Sequence, residues 1–119
     1  MLDSLTKAQK KAARTLIDTA LERDCASFIQ KISKLAEKPL EEVNKPNHAR
    51  YIELYKAVES FDKHLADRYD GITGGKYFDT VSFLLADGCL TDEDLLICDE
   101  TMKNELIRVK EILLQIRNR

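Results

Sequence analysis

Three stretches of this chain repeat apolar residues in alternating steps of four and three, a period that dictates helices. Leu21, Cys25, Phe28, Ile32 and Leu35 form one seam, and Ile29 and Ala36 widen it. Leu54, Val58, Phe61 and Leu65 form a second, with Tyr51, Ile52 and Tyr55 beside it. Met102, Leu106, Val109, Leu113 and Ile116 form a third. Steps of three and four return a side chain to the same helix face, whereas a half-buried strand alternates at every second residue. No stretch alternates in that way, so the expected fold class is all-α.

Stop and start signals divide the pattern into an antiparallel bundle of about four helices, three long and one short, in a single domain over residues 1–119. The first helix is expected from about Ser4 to Glu37, capped by Ser4 or Asp3 and halted by Pro39. Its second half carries the strong seam. Its first half relies on Ala8, Ala12, Ala13, Leu16, Ile17 and Ala20 and is the weaker pattern. Pro46 suits the first turn of a second helix running to Tyr69. A short helix is expected over 77–86, with Gly88 in the left-handed position beyond its end. Thr91 and Asp94 have the spacing of a capping box, which places the start of the last helix near Asp92 and its end near Arg117.

The net charge of −2 conceals an uneven distribution. Between residues 71 and 100 only Lys76 stands against seven acids, while the last nineteen residues are basic. Such blocks attract each other within one chain or between two. Three cysteines without a CxxC spacing suit free thiols in a reducing compartment. Neither a secretory leader nor a bilayer-length apolar run is visible, so a cytoplasmic, non-membrane protein is expected.

The segment "YDGITGGKYF" holds three of the four glycines and invites comparison with a phosphate loop. Lys76 follows Gly75, but Asp70 occupies the first glycine position and Tyr77 the position of the magnesium-binding hydroxyl. A helix, not a strand, precedes it. The segment is read as a connector, with Gly71 left-handed and Gly74 and Gly75 reversing the chain. Calcium fares no better: aligning Gly71 or Gly88 with the sixth position of an EF-hand puts Ala66 and Arg68, or Phe83 and Leu85, where oxygen ligands are needed. The two histidines, His48 and His64, lack the ExxH context of a di-iron bundle. Cys89 sits in a turn among Asp87, Asp92, Glu93 and Asp94, whose charge opposes a thiolate. No metal, cofactor or catalytic residue is assigned, and the sequence leans against an enzyme.

A helix-turn-helix is disfavoured because Thr91-Asp92-Glu93-Asp94 would meet DNA with negative charge. The stretch "KAQKKAAR" is the better nucleic-acid candidate, although the pI of about 5.7 weighs against it. Protein–protein interaction is therefore the leading class: a small adaptor or regulatory protein, self-associating as a homodimer because the first helix outreaches its neighbours. Candidate partner contacts are the acidic group Asp92, Glu93 and Asp94 and the basic face Lys7, Lys11 and Arg14. The competing class is a ligand-binding or enzymatic bundle with an inter-helix pocket lined by Tyr51, Tyr55 or His48.

Overall fold

A computed structural model describes residues 4–38 and 44–118. All regular structure among them is helical: α1 (Lys7–Glu37), α2 (Asn47–Tyr69), α3 (Tyr77–Ala86) and α4 (Glu100–Arg117), with 3₁₀ turns at Gly74–Lys76 and Asp92–Ile97. The expected all-α class is what the chain adopts. The expected cap at Asp3 and stop at Pro39 lie outside the described residues. The chain divides into two compact units, one comprising the residues up to Arg23 together with those from Gly71 onward, the other Asp24–Asp70.

Among the described residues, every buried apolar side chain lies in the first unit. Ala13, Leu16, Ile17 and Ala20 of α1 supply the i, i+3, i+4, i+7 stripe of a core-facing helix, and all four are buried. Phe78, Val81, Leu84 and Leu85 of α3 join them, as do Leu90, Leu95, and Met102, Leu106 and Val109 of α4. The ranking drawn from periodicity is thus reversed. The alanine-rich first half of α1 is the buried half, since small side chains admit close approach of neighbouring helices. No residue of α1 beyond Ala20 is buried.

Capping also corrects two boundaries. Helix α1 starts at Lys7, not near Ser4, because Thr6 and Gln9 form the capping box: the Thr6 N–H donates to Gln9 Oε1 (2.9 Å) and the Gln9 N–H to Thr6 Oγ1 (3.1 Å). The buried Gln9 amide then donates to Asp99 Oδ2 at 3.0 Å. The last helix does not begin at Asp92. Residues Asp92–Ile97 wind as 3₁₀, Cys98 and Asp99 are extended, and α4 begins at Glu100. Two caps compete for one helix start here. The Thr91–Asp94 box opens the 3₁₀ turn, whereas Asp99 Oδ1 accepts the Met102 N–H at 2.7 Å and opens α4.

Helix α3 ends as the sequence expects. Gly88 has φ +81°, and the Cys89 N–H reaches back to the Leu84 carbonyl (2.9 Å) while the Gly88 N–H reaches that of Leu85 (3.2 Å). That is a Schellman closure, for which a left-handed glycine is the natural residue. Gly71 ends α2 with φ +71°, and Gly74 and Gly75 lie in or at the following 3₁₀ turn without positive φ.

The second unit is an antiparallel hairpin of the latter part of α1 with α2. Asp24 near one end accepts a hydrogen bond from the Tyr69 hydroxyl at 2.6 Å. At the other end the Arg50 guanidinium donates to the Ala36 and Lys38 carbonyls (3.1 and 2.6 Å), satisfying orphan acceptors of the α1 terminus. Between them Phe28 and Phe61 stack, with centroids 4.1 Å apart and planes within 1°. Cys25, Phe28, Ile32 and Leu35 of α1 and Leu54, Ala57, Phe61 and Leu65 of α2 are all half-buried. Two members of the expected seams fall outside that set: Ile29 does not widen the contact but is 60 % exposed, and Val58 is 48 % exposed, its place taken by Ala57. Ala36 is exposed as well.

Candidate interaction surface

The misplaced seam residues share a pattern. Ala26, Ile29, Ser33 and Ala36 each follow by one residue a member of the α1 seam, Cys25, Phe28, Ile32 and Leu35. Tyr51, Tyr55 and Val58 likewise each follow a contact residue of α2, Arg50, Leu54 and Ala57. One residue is a rotation of 100° about a helix axis. Made in the same sense on two antiparallel helices that face each other, this rotation brings both strips to the same side of the hairpin. The result is an exposed, mostly uncharged face built from Ala26, Ile29, Ser33 and Ala36 on one helix and Tyr51, Tyr55 and Val58 on the other, bounded near Ala26 by the exposed Asp62, which follows the contact residue Phe61. The opposite side carries Lys31, Lys34, Glu53, Lys56 and Asp67.

The tyrosines are organised along this face. His48, Tyr51 and Tyr55 form a ladder of rings, with centroids 6.5 Å apart for the first pair and 6.4 Å for the second. Tyr51 is 59 % and Tyr55 54 % exposed, so these three side chains stand on an open surface. A tyrosine offers a large, stiff apolar ring with a polar tip, which suits contact with another protein. On the charged side a shallow dent lies against the stacked rings, lined by Asp24, Ser27, Lys31 and His64. Asp24 there is ringed by Tyr69, by Arg68 (3.6 Å) and by His64 (3.9 Å).

The residues singled out for partner contact are distributed over the first unit. Lys7, Lys11 and Arg14 are exposed on α1. The Arg14 guanidinium lies over the Tyr77 ring, 5.7 Å from its centroid, and Lys11 borders a shallow apolar depression with Ala8, Ala12, Thr15 and Ile97. Asp92 is held by Lys110 Nζ at 2.6 Å, and Glu93 is exposed. Asp94 is engaged most fully: Arg23 grips both its oxygens (2.7 and 2.9 Å), and the Thr91 N–H donates to it at 2.7 Å. The Arg23 guanidinium, followed by the Thr91 donors, holds the Asp94 carboxyl well below the usual carboxylate range against the opposing effect of its burial.

The Cys98 thiol is pushed up by burial and then by the neighbouring Asp99 charge, the reverse of what activates a nucleophile. None of the three cysteines forms a disulfide, and none is fully exposed. Among the described residues no group of three or more His, Cys, Asp or Glu side chains is placed to hold a metal ion. Among them also, no helix is long and apolar enough to cross a membrane. No protein-family model, curated protein sequence or solved structure matches this chain.

The partner contacts expected from sequence followed charge, whereas Tyr51, Tyr55 and His48 were expected to line an inter-helix pocket; all three are exposed on the hairpin. The signal of the exposed face was nonetheless present: Tyr51 and Tyr55 flank the α2 seam, and Ile29 and Ala36 flank that of α1. Periodicity alone assigned Ile29 and Ala36 to the core because an apolar residue 100° off the seam is as compatible with a wide buried face as with an exposed one.

Proposed function

We propose that this is a cytoplasmic helical interaction protein that self-associates through the uncharged face of the 24–70 hairpin and serves as an adaptor or regulatory element rather than a catalyst. One observation carries the proposal: a two-helix unit in which no α2 residue is buried leaves Ile29, Tyr51, Tyr55 and Val58 about half or more exposed on one side. Contiguous apolar surface of this kind on a small protein marks a binding site. The exposed Lys7, Lys11 and Glu93 of the first unit are available for a further partner. Cysteines that form no disulfide suit the reducing compartment.

Sedimentation velocity on the full chain tests it. The wild type is expected at twice its 13.6 kDa mass at tens of micromolar, with Ile29→Lys/Tyr55→Asp reverting to a monomer of unchanged helicity by circular dichroism. A wild type that stays monomeric through several hundred micromolar would remove self-association from the account.

A further inference from the structure

We infer that the hairpin face is occupied by the same face of a second copy, related by a two-fold axis parallel to the helices, so that the α1 strip of each copy lies against the α2 strip of the other. This rests on the self-association proposed above and assigns it a geometry. The two strips differ in size. That of α1 is small apart from Ile29, with Ala26, Ser33 and Ala36, whereas that of α2 carries Tyr51, Tyr55 and Val58. A two-fold interface must be complementary to itself, and large side chains pack best where they face small ones. For two such faces to meet, the axis must lie in the plane between them. If it runs across the helices, α1 lies on α1 and α2 on α2, setting tyrosine against tyrosine and alanine against alanine. If it runs along them, each α1 strip receives an α2 strip; in either case neighbouring helices are antiparallel, as in an up-down four-helix bundle.

Register supports the second arrangement. The Phe28–Phe61 stack sets those two positions at one height. Both helices rise about 1.5 Å per residue in opposite directions, which makes Ile29 level with position 60, Ser33 with position 56 and Ala36 with position 53. An axis parallel to the helices leaves heights unchanged. The partner's Tyr55 then lies within about 1.5 Å of the height of Ser33, and the partner's Tyr51 and Val58 within about 3 Å of those of Ala36 and Ile29. Each ring meets a small residue, and the branched aliphatics meet each other.

Area points the same way. The exposed parts of Ile29, Tyr51, Tyr55 and Val58 come to roughly 900 Å² over two copies, before the alanines and serines are added, close to the ~1,000 Å² expected of a specific interface. The strip ends at Asp62, one residue after Phe61 and near the height of Ala26, where a charge would stop further apolar contact.

Disulfide trapping between two single-cysteine proteins tests the geometry. In a background with Cys25→Ala, Cys89→Ser and Cys98→Ala, one protein carries Ser33→Cys and the other Tyr55→Cys. They are mixed in a glutathione redox buffer and resolved by mass. The mixed disulfide dimer should exceed either homodimer about tenfold, and Ala36→Cys mixed with Tyr51→Cys should behave alike. Helicity of each variant, checked beforehand by circular dichroism, keeps a folding failure apart from a geometric one. Preferential 55–55 or 33–33 linkage, or no linkage by either pair, in variants that sediment as helical dimers would overturn the arrangement while leaving self-association intact. A monomeric wild type would overturn both.

Discussion

Asp94 illustrates how a single side chain closes a local structure and ties it to a neighbouring helix. Its carboxylate accepts from the Thr91 N–H and hydroxyl at the start of the 3₁₀ turn and receives both arms of Arg23 from α1. Replacing it with alanine removes the box and leaves Arg23 without its carboxylate, at an expected cost of about 1 kcal/mol, typical of a lost cap. Arg23→Ala should cost less, because an exposed ion pair contributes little and the Thr91 bonds survive. The sign of the acid response follows from the depressed carboxyl. The stabilisation is fully present above the unfolded value of about 3.9 and is lost as pH falls below it toward the folded value. Glu105, held near 2 by the Arg108 guanidinium, has the same sign. Asp94→Asn should therefore flatten the fall of urea-unfolding stability between about pH 4 and pH 2 relative to wild type. An unchanged slope would show that the Arg23 contact does not persist in solution.

At the scale of the element, the two halves of α1 separate hydrophobic periodicity from burial. Leu16 is 2 % exposed among core residues, whereas Leu35 is only half-buried on the hairpin. Leu16→Ala should cost about 3 kcal/mol, within the range for a fully buried leucine, and Leu35→Ala about 1 kcal/mol. Equal costs in denaturant titrations at micromolar protein would contradict this order. The sequence alone suggests the opposite ranking, and the reason is physical. Alternating steps of four and three report that a face is apolar, not how many neighbours cover it. Helix type, the Gly71 and Gly88 terminations and the Thr91–Asp94 box were all legible, because each depends on residues within one or two turns. The split of the last helix was not. It turns on whether Asp94 or Asp99 caps, and the latter is fixed by Gln9, ninety positions away in sequence. The candidate surface was half legible. The tyrosines and Ile29 were visible beside their seams, but only the hairpin's contact register shows that they emerge on one side.

At the scale of the whole molecule, all thirteen apolar side chains buried among the described residues belong to one of the two compact units and none to the other. Among the described residues, the 24–70 unit shows a stacked phenylalanine pair, half-buried aliphatics and polar clasps at both ends, with no buried apolar side chain. Opening free energy should be distributed accordingly, because local stability follows the density of buried contacts. In hydrogen exchange at about 1 μM, amides of α2 should exchange well before those of α3 and α4. Association adds to the stability of whatever it covers by mass action. Raising the protein to about 100 μM should then slow the α2 amides and those of the 24–37 stretch roughly tenfold, with little change in α3. A rise in protection shared equally by both units would place the interface elsewhere. Exchange in α2 that is slow and indifferent to concentration would mean the hairpin is stable alone, and its tyrosine face would then need another explanation.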